Sequence, residues 1–307
     1  MKKNYLILLV FVLFILYILT HPAASMAAAA DGLLLWYEQI LPALLPLAIL
    51  SNLMVYSNYM QLLTKYLYPV TKHIIPTSAN GCFAFLGGIF FGFPMGSKIS
   101  ADLVTEKKIL PKEGEILSIC CNQLSPIFLS GYLMTSILQM PEYIVQSYIV
   151  LYLPPLSYAA VRLRKLHLVE HTSNKKNTAS DSHLNFRIID AGIMNGFETL
   201  TKLGGYIILF SIFASMLHTY NHQYPMINYL CTGLIEVTTG FSYLRDSGLS
   251  VEVLYPLALF FASFGGFCGF AQTCSMTGKC NFSKSRYLIC RLCFAVISSV
   301  LGYILFW

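Results

Sequence analysis

Residues 82–126 constrain this chain more than any other stretch. An apolar run from Cys82 to Phe93 has the character of a membrane segment, yet it breaks at Gly92, Pro94 and Gly96 and meets a charge at Lys98. A charged turn follows (Glu106, Lys107, Lys108, Lys112, Glu113, Glu115). The next apolar run, Ile116 to Leu138, is interrupted by Asn122, Gln123, Ser125 and Pro126. Proline removes an amide donor and crowds the preceding turn, and glycine frees the backbone, so regular helix is expected to fail in the middle of both runs. At bilayer depth such a break survives only where protein or a wet cavity satisfies the freed groups. That is the physical description of a solute site.

Composition agrees with a bilayer as solvent. Hydrophobic residues make up 56% of the 307, charged residues 11%, and the mean hydropathy is +0.63. An all-α polytopic membrane protein is expected. The formal net charge of +6 comes from cations in the loops. It reads as orientation and contact with membrane lipid headgroups, with no nucleic-acid partner. Eight of the nine cysteines fall in or beside apolar runs and read as buried small side chains. Cys290-x-x-Cys293 lies on an apolar helix with no second pair, and His218 and His222 sit at a membrane edge, so no metal is assigned. HExxH, GxSxG and phosphate-loop patterns are absent, as is a nucleophile and base pair at membrane depth. Neither an enzyme nor a cofactor is expected.

The chain divides into four parts. Residues 1–25, with Lys2 and Lys3 before an apolar run, read as a retained signal-anchor span starting in the cytoplasm. Residues 26–161 form a first membrane repeat, whose span at about 33–56 carries Glu38, Pro42 and Pro46 and is expected to line something polar. A basic connection at 57–79 follows. Residues 162–187, with Arg162, Arg164, Lys165, Lys175, Lys176 and Arg187 around a Ser/Thr/Asn-rich centre, read as a flexible cytoplasmic linker. Residues 188–307 form the second repeat. About eight apolar segments result, and loop charge requires one segment in each half to enter and return on the same side.

Both halves break in corresponding places. Leu234 to Gly240, containing Glu236, Thr238 and Thr239, matches the Gly92–Lys98 stretch. Gly265 to Thr273, with Gly266 and Gln272, matches Asn122–Pro126. The two units start from opposite sides, an inverted repeat whose paired discontinuities point to a midplane site in secondary transporters. The candidate solute contacts are therefore Gly92, Pro94, Gly96, Ser97, Lys98, Asn122, Gln123, Ser125, Glu236, Thr238, Thr239, Gly265, Gly266 and Gln272. Gly88, Gly92 and Gly96 recur every four residues, which alone means close helix contact, but Pro94, Ser97 and Lys98 in the same turn favour a kinked or re-entrant element. A carboxylate within an apolar span costs roughly 2.5–3.5 kcal/mol on insertion scales, so Glu236 is the most informative acid. It has three roles open: pairing with Lys98, binding a solute hydroxyl, or taking a coupling ion, H+ or Na+. Lys98 also lies four residues from Asp102, where a helix-face pair is ordinary.

The run Asp31-Gly32-Leu33-Leu34-Leu35-Trp36 to Leu41-Pro42-Ala43-Leu44-Leu45-Pro46, then Gly92-Phe93-Pro94-Met95-Gly96-Ser97-Lys98, Asn122-Gln123-Leu124-Ser125-Pro126, Glu236-Val237-Thr238-Thr239-Gly240 and Phe264-Gly265-Gly266, resembles the sporulation integral membrane protein YlbJ group of the nucleoside-recognition, or Gate, domain proteins. The resemblance spans nearly the whole chain. It implies a spore-forming bacterium, a multi-pass protein of its cytoplasmic membrane, sporulation membrane proteins as partners, and a core similar to concentrative nucleoside carriers. The group tends to carry a second asparagine where this chain has Gln123, and a histidine where it has Phe270. Two functions follow from these readings: a carrier of a small polar solute held between the repeats, or a non-transporting scaffold of spore-envelope assembly that docks partners on 162–187.

Overall fold

The structure, a computed structural model, describes residues 2–57, 59–166, 185–221 and 225–306. Among them every regular element is helical and no strand occurs. Five helices are long and apolar enough to cross a membrane: Pro22–Tyr56, Pro141–Lys165, Phe186–Tyr220, Val251–Met276 and Lys284–Leu305. Two further helices, Tyr59–Ile74 and Ala79–Phe91, meet at an 80° bend and add a sixth if they act as one span. The chain is a multi-pass helical membrane protein. The centre of the 162–187 linker, residues 167–184, lies outside the described residues, as does His222.

After α1 (Lys2–Thr20), the helix expected at about 33–56 reaches back to Pro22. The alanine-rich stretch supports this, because alanine has the highest helix propensity and proline is tolerated in a first turn. The helix runs as α2 (Pro22–Leu35) and α3 (Leu41–Tyr56), joined by a π turn at Trp36–Ile40. Pro42 has no amide to give the Glu38 carbonyl. The ladder widens one residue earlier, where the Leu41 amide bonds the Trp36 carbonyl. This long helix lies along a second one, α9 (Phe186–Asn221). Glycine makes the approach possible: a Cβ on Gly192, Gly196 or Gly204 would come within 2.7, 2.9 and 2.8 Å of Leu53, Ile49 and Trp36. Trp36 Nε1 donates to the Leu200 carbonyl at 2.8 Å, and Asn52 Nδ2 to the Gly192 carbonyl at 3.2 Å.

The basic connection at 57–79 is largely a helix, α4 (Tyr59–Ile74). It turns Thr64 and Thr71 inward and leaves Leu63, Tyr66, Val70 and Ile74 exposed. Ser78 then caps α5 (Ala79–Phe91), accepting from the Gly81 amide at 3.0 Å, and its own amide donates to Glu113 Oε1 at 2.7 Å. α5 stops at Gly92, whose φ of +75° suits glycine. The chain passes a cis Phe93–Pro94 bond and resumes as α6 (Met95–Thr105). α7 (Pro111–Cys120) stops in turn, and residues 121–125 run without regular helix before helix resumes at Pro126 and continues as a π segment at Phe128–Ile137.

These two breaks touch. The Phe93 amide donates to the Gln123 carbonyl at 2.7 Å, and a Cβ on Gly96 or Gly88 would overlap the Cys121 carbonyl oxygen. α8 (Ile144–Lys165) closes the first half. The second half breaks twice as well. α10 (Pro225–Ile235) and α11 (Val237–Arg245) are separated by Glu236, and α12 (Val251–Phe264) and α13 (Gly266–Met276) by Gly265. Gly265 and Gly266 hold φ of +81° and +70°, and a Cβ on Gly266 would stand 3.3 Å from the Ile235 carbonyl oxygen and 3.4 Å from the Val237 amide. Here too the breaks lie against each other. α14 (Lys284–Phe306) ends the chain beside α8 and α12.

Gly96→Leu therefore forces a side chain into the Cys121 backbone. It is expected to lower stability by about 1–3 kcal/mol, the usual cost of overfilling a close contact. Gly131→Ala, where a Cβ meets open space, is expected to be neutral. Thermal melting of both variants in detergent micelles checks this; equal melting temperatures would refute the close approach.

Candidate functional site

A cavity of about 360 Å³ opens where the breaks converge. Its wall includes a residue from each of the four: Phe93, Ser125, Glu236 and Gly265. Gln39, Ile40, Ala43 and Leu44 of the long first helix, Leu203 and Ile207 of α9, and Cys268, Gly269 and Gln272 of α13 complete much of it. The size lies within the range of small-molecule sites, as does the mixture of apolar wall and few polar groups.

Glu236 is placed by the break it occupies. Its backbone is extended (φ −138°, ψ 115°), so its side chain folds over the start of α11 and caps it. Oε2 accepts from the Thr239 amide at 2.7 Å, the Thr239 hydroxyl at 2.9 Å and the Thr238 hydroxyl. A carboxylate at a helix start meets both orphan amides and the positive end of the dipole, which offsets its transfer from water. Glu236 is buried, 2% exposed, and still lines the cavity. Among the described residues no cation pairs with it. Lys98 is engaged elsewhere, its Nζ 2.6 Å from Asp102 and 3.0 Å from Asn52.

The other sequence candidates divide into wall and support. Ser125, Thr238, Gly265 and Gln272 reach the cavity together with Glu236. Gly92, Pro94, Gly96 and Gly266 shape the crossings without lining it. Ser97 donates to the Ser118 carbonyl at 2.9 Å inside the α6–α7 contact. Asn122 faces the far side of the breaks, its Nδ2 donating to Tyr287 at 2.6 Å and Thr273 at 3.0 Å. Gln123 is buried with both side-chain polar atoms unpartnered, and Gln272 spends Nε2 on Cys268 while Oε1 stays unpartnered. Phe270, where the resembling group tends to carry histidine, lies 6.0 Å from the Tyr287 ring.

The carbonyls beside Pro126 are not free, contrary to the expectation for a proline break. Tyr152 donates to the Leu124 carbonyl at 2.6 Å and Tyr148 to the Pro126 carbonyl at 2.7 Å, both from α8. The aromatic wall of Phe91, Phe93, Phe128 and Tyr132 was not among the sequence candidates either. Two signals pointed near it. Phe93 sits inside the Gly-Phe-Pro-Met-Gly motif, and Pro42 disturbs the first long helix next to Gln39 and Ile40. A further buried charge, Arg291 of α14, donates from Nε to the Phe264 carbonyl at 3.3 Å, at the negative end of α12.

With this geometry in view, comparison with known proteins finds one informative likeness. The chain is 26% identical, over an alignment of 334 positions, to the sporulation integral membrane protein YlbJ of Bacillus subtilis (strain 168). The alignment covers 97% of this chain and 82% of that protein. The chain is thus similar, along almost its full length, to a sporulation integral membrane protein. No family model matches it, and no solved structure matches it.

Glu236→Ala removes the α11 cap and is expected to cost about 0.5–2 kcal/mol, whereas Glu236→Gln keeps an acceptor and is expected to lose much less. Melting curves of the two variants decide; an equal loss in both would mean that the charge, not the cap, holds α11.

Proposed function

We propose that this chain is a secondary carrier in the cytoplasmic membrane of a spore-forming bacterium, holding a small polar solute in the cavity between two inverted repeats. The observation that supports it most is that one cavity touches all four chain breaks. Helix is abandoned at membrane depth only where protein or a cavity satisfies the backbone, and paired breaks facing a central site are the usual construction of such carriers.

The order of elements supports the repeat. Each half has a 35-residue helix, two broken helices in contact, and a closing span. Corresponding elements meet across the halves, α3 with α9 and α8 with α14. That is the arrangement a pseudo-two-fold axis produces. α4 has no counterpart among the described residues. In this reading the Gate-type core belongs to a transporter and the N-terminus and the linker 162–187 lie in the cytoplasm. Glu236 is the group through which solute, H+ or Na+ acts, with Ser125, Thr238 and Gln272 as polar contacts. The named role of the relative from Bacillus subtilis supports service in sporulation.

The scaffold reading keeps one supporting fact, that the relative is named for sporulation and not for transport. Complementation of a spore-forming strain lacking its own relative separates the two. A carrier is expected to give normal protein levels but at least about a tenfold loss of heat-resistant spores with Glu236→Gln, as removal of a functional intramembrane carboxylate does. Deletion of residues 170–183 is expected to be tolerated. A scaffold would give the reverse pattern.

A further inference from the structure

α4 (Tyr59–Ile74) is built unlike a membrane span. It holds Lys65, Lys72 and His73 and no Asp or Glu. At 1.5 Å per residue its 16 residues measure about 24 Å, short of the roughly 30 Å of hydrocarbon that a crossing needs.

At about 3.6 residues per turn its side chains sort onto three faces. Met60, Thr64 and Thr71 turn inward: Met60 joins Phe83, Phe85 and Ile99 in the core, and Thr71 Oγ1 donates to Cys82 Sγ at 3.0 Å. This face seats α4 against α5, the helix that leads into the Gly92 break. Tyr59, Leu63, Tyr66, Val70 and Ile74 form a second face, with Tyr66 76% and Val70 65% exposed. Gln61, Lys65 and Lys72 form the third, all exposed. The apolar and lysine faces lie nearly opposite each other, with the packed face between them. The lysines stand two turns apart on one edge, about 10 Å along the axis.

The surroundings set this helix along the membrane surface. α4 and α5 meet at an 80° bend, and α5 enters the packed core, so α4 runs beside that core and not through it. Pro69 has no amide for the Lys65 carbonyl, which headgroup water can hydrate and hydrocarbon cannot. The charged turn after α6 shares this surface. Lys108 Nζ donates to the Val55 carbonyl just before α4, and Asn80 Nδ2, just after it, donates to the Lys108 carbonyl at 2.9 Å. Exposed Lys107 and Lys112 in that turn have exposed Glu106 beside them, whereas α4 carries cations alone. His73 Nδ1 lies 2.7 Å from the Pro69 carbonyl. Among the described residues neither Lys65 nor Lys72 is ion-paired.

We propose that α4 is an in-plane interfacial helix that binds anionic phospholipid, with its apolar face in the acyl chains and Lys65 and Lys72 on the headgroup phosphates. A helix with lysine on one face and aliphatic and aromatic side chains on the other belongs at that boundary. An anionic headgroup gives both lysines a counter-charge, whereas a zwitterionic one brings a competing ammonium group. This role is independent of what the cavity holds.

Single cysteines at Leu63 and Ile74, near the two ends of the exposed apolar face, test it. On a cysteine-depleted full-length chain in nanodiscs each carries an NBD fluorophore. Quenching is read with nitroxide placed near the headgroup or deep in the acyl chain, on phosphatidylglycerol or phosphatidylcholine at equal mole fraction. Both positions are expected to be quenched best by the shallow nitroxide. Shallow phosphatidylglycerol is expected to be preferred over phosphatidylcholine by roughly fivefold, the effect of one lysine at an anionic surface. Lys65→Gln with Lys72→Gln brings that ratio close to one, and Lys65→Arg with Lys72→Arg keeps it. Best quenching by the deep nitroxide at either position, or none at all, overturns the in-plane placement. Equal quenching by the two lipids, or a preference that outlasts the double Gln variant, overturns the headgroup recognition.

Discussion

The structure depends on a steric condition at two places: two interrupted helices must approach until their backbones touch. In the first half Gly88 and Gly96 admit the Cys121 carbonyl, and Gly92 admits Ser125. In the second half Gly266 admits the Ile235–Val237 turn. A side chain at Gly88, Gly92 or Gly96 would hold the first pair of breaks apart, and one at Gly266 would be strained by its φ of +70°; separated breaks leave backbone groups without partners where water is scarce. The crossings hold because the freed groups find partners close by. Phe93 bonds Gln123 across the first, Glu236 caps α11 at the second, and Tyr148 and Tyr152 take the carbonyls at Leu124 and Pro126.

From that condition the chemistry follows. A helix that stops inside the protein presents a polarised end, and two charged side chains meet such ends in the second half: Glu236 at the start of α11 and Arg291 at the close of α12. They differ in what they show to the cavity. Arg291 is buried against the wall residue Gly265 with its Nη1 unpartnered, while Glu236 lines the space itself. The same carboxylate thus completes a helix and faces the cavity, so the fold and the proposed solute site share one group.

The positions of the breaks were legible in the sequence because glycine and proline act locally. Gly92, Pro94, Pro126 and Gly265–Gly266 mark where regular helix is interrupted, and the break at Glu236 is located by its correspondence with the first half. Which side chains face the cavity was not legible, because that depends on partners far along the chain. Lys98 reads as a site residue until Asn52, on another helix, and Asp102 are seen to hold it. Asn122 points to Tyr287 and Thr273, both in the other half. The aromatic wall carried no sequence signal of its own, since a phenylalanine facing a cavity and one facing lipid look alike. The π turn at Trp36–Ile40 was only hinted at by Pro42, and the helical nature of 59–74 was obscured by its lysines and Pro69.

The central claim is that the crossing of the breaks encloses water-accessible space within the membrane. The most direct measurement is side-resolved labelling of a single cysteine at Ser125, which lines that space, by a membrane-impermeant thiol reagent on right-side-out and inside-out vesicles. Modification from at least one side, at a rate well above that of a lipid-facing control at Ile297, is the predicted result. A cysteine that stays unmodified from both sides, yet reacts once the protein is unfolded in detergent, would contradict it and leave the breaks as sealed contacts between helices.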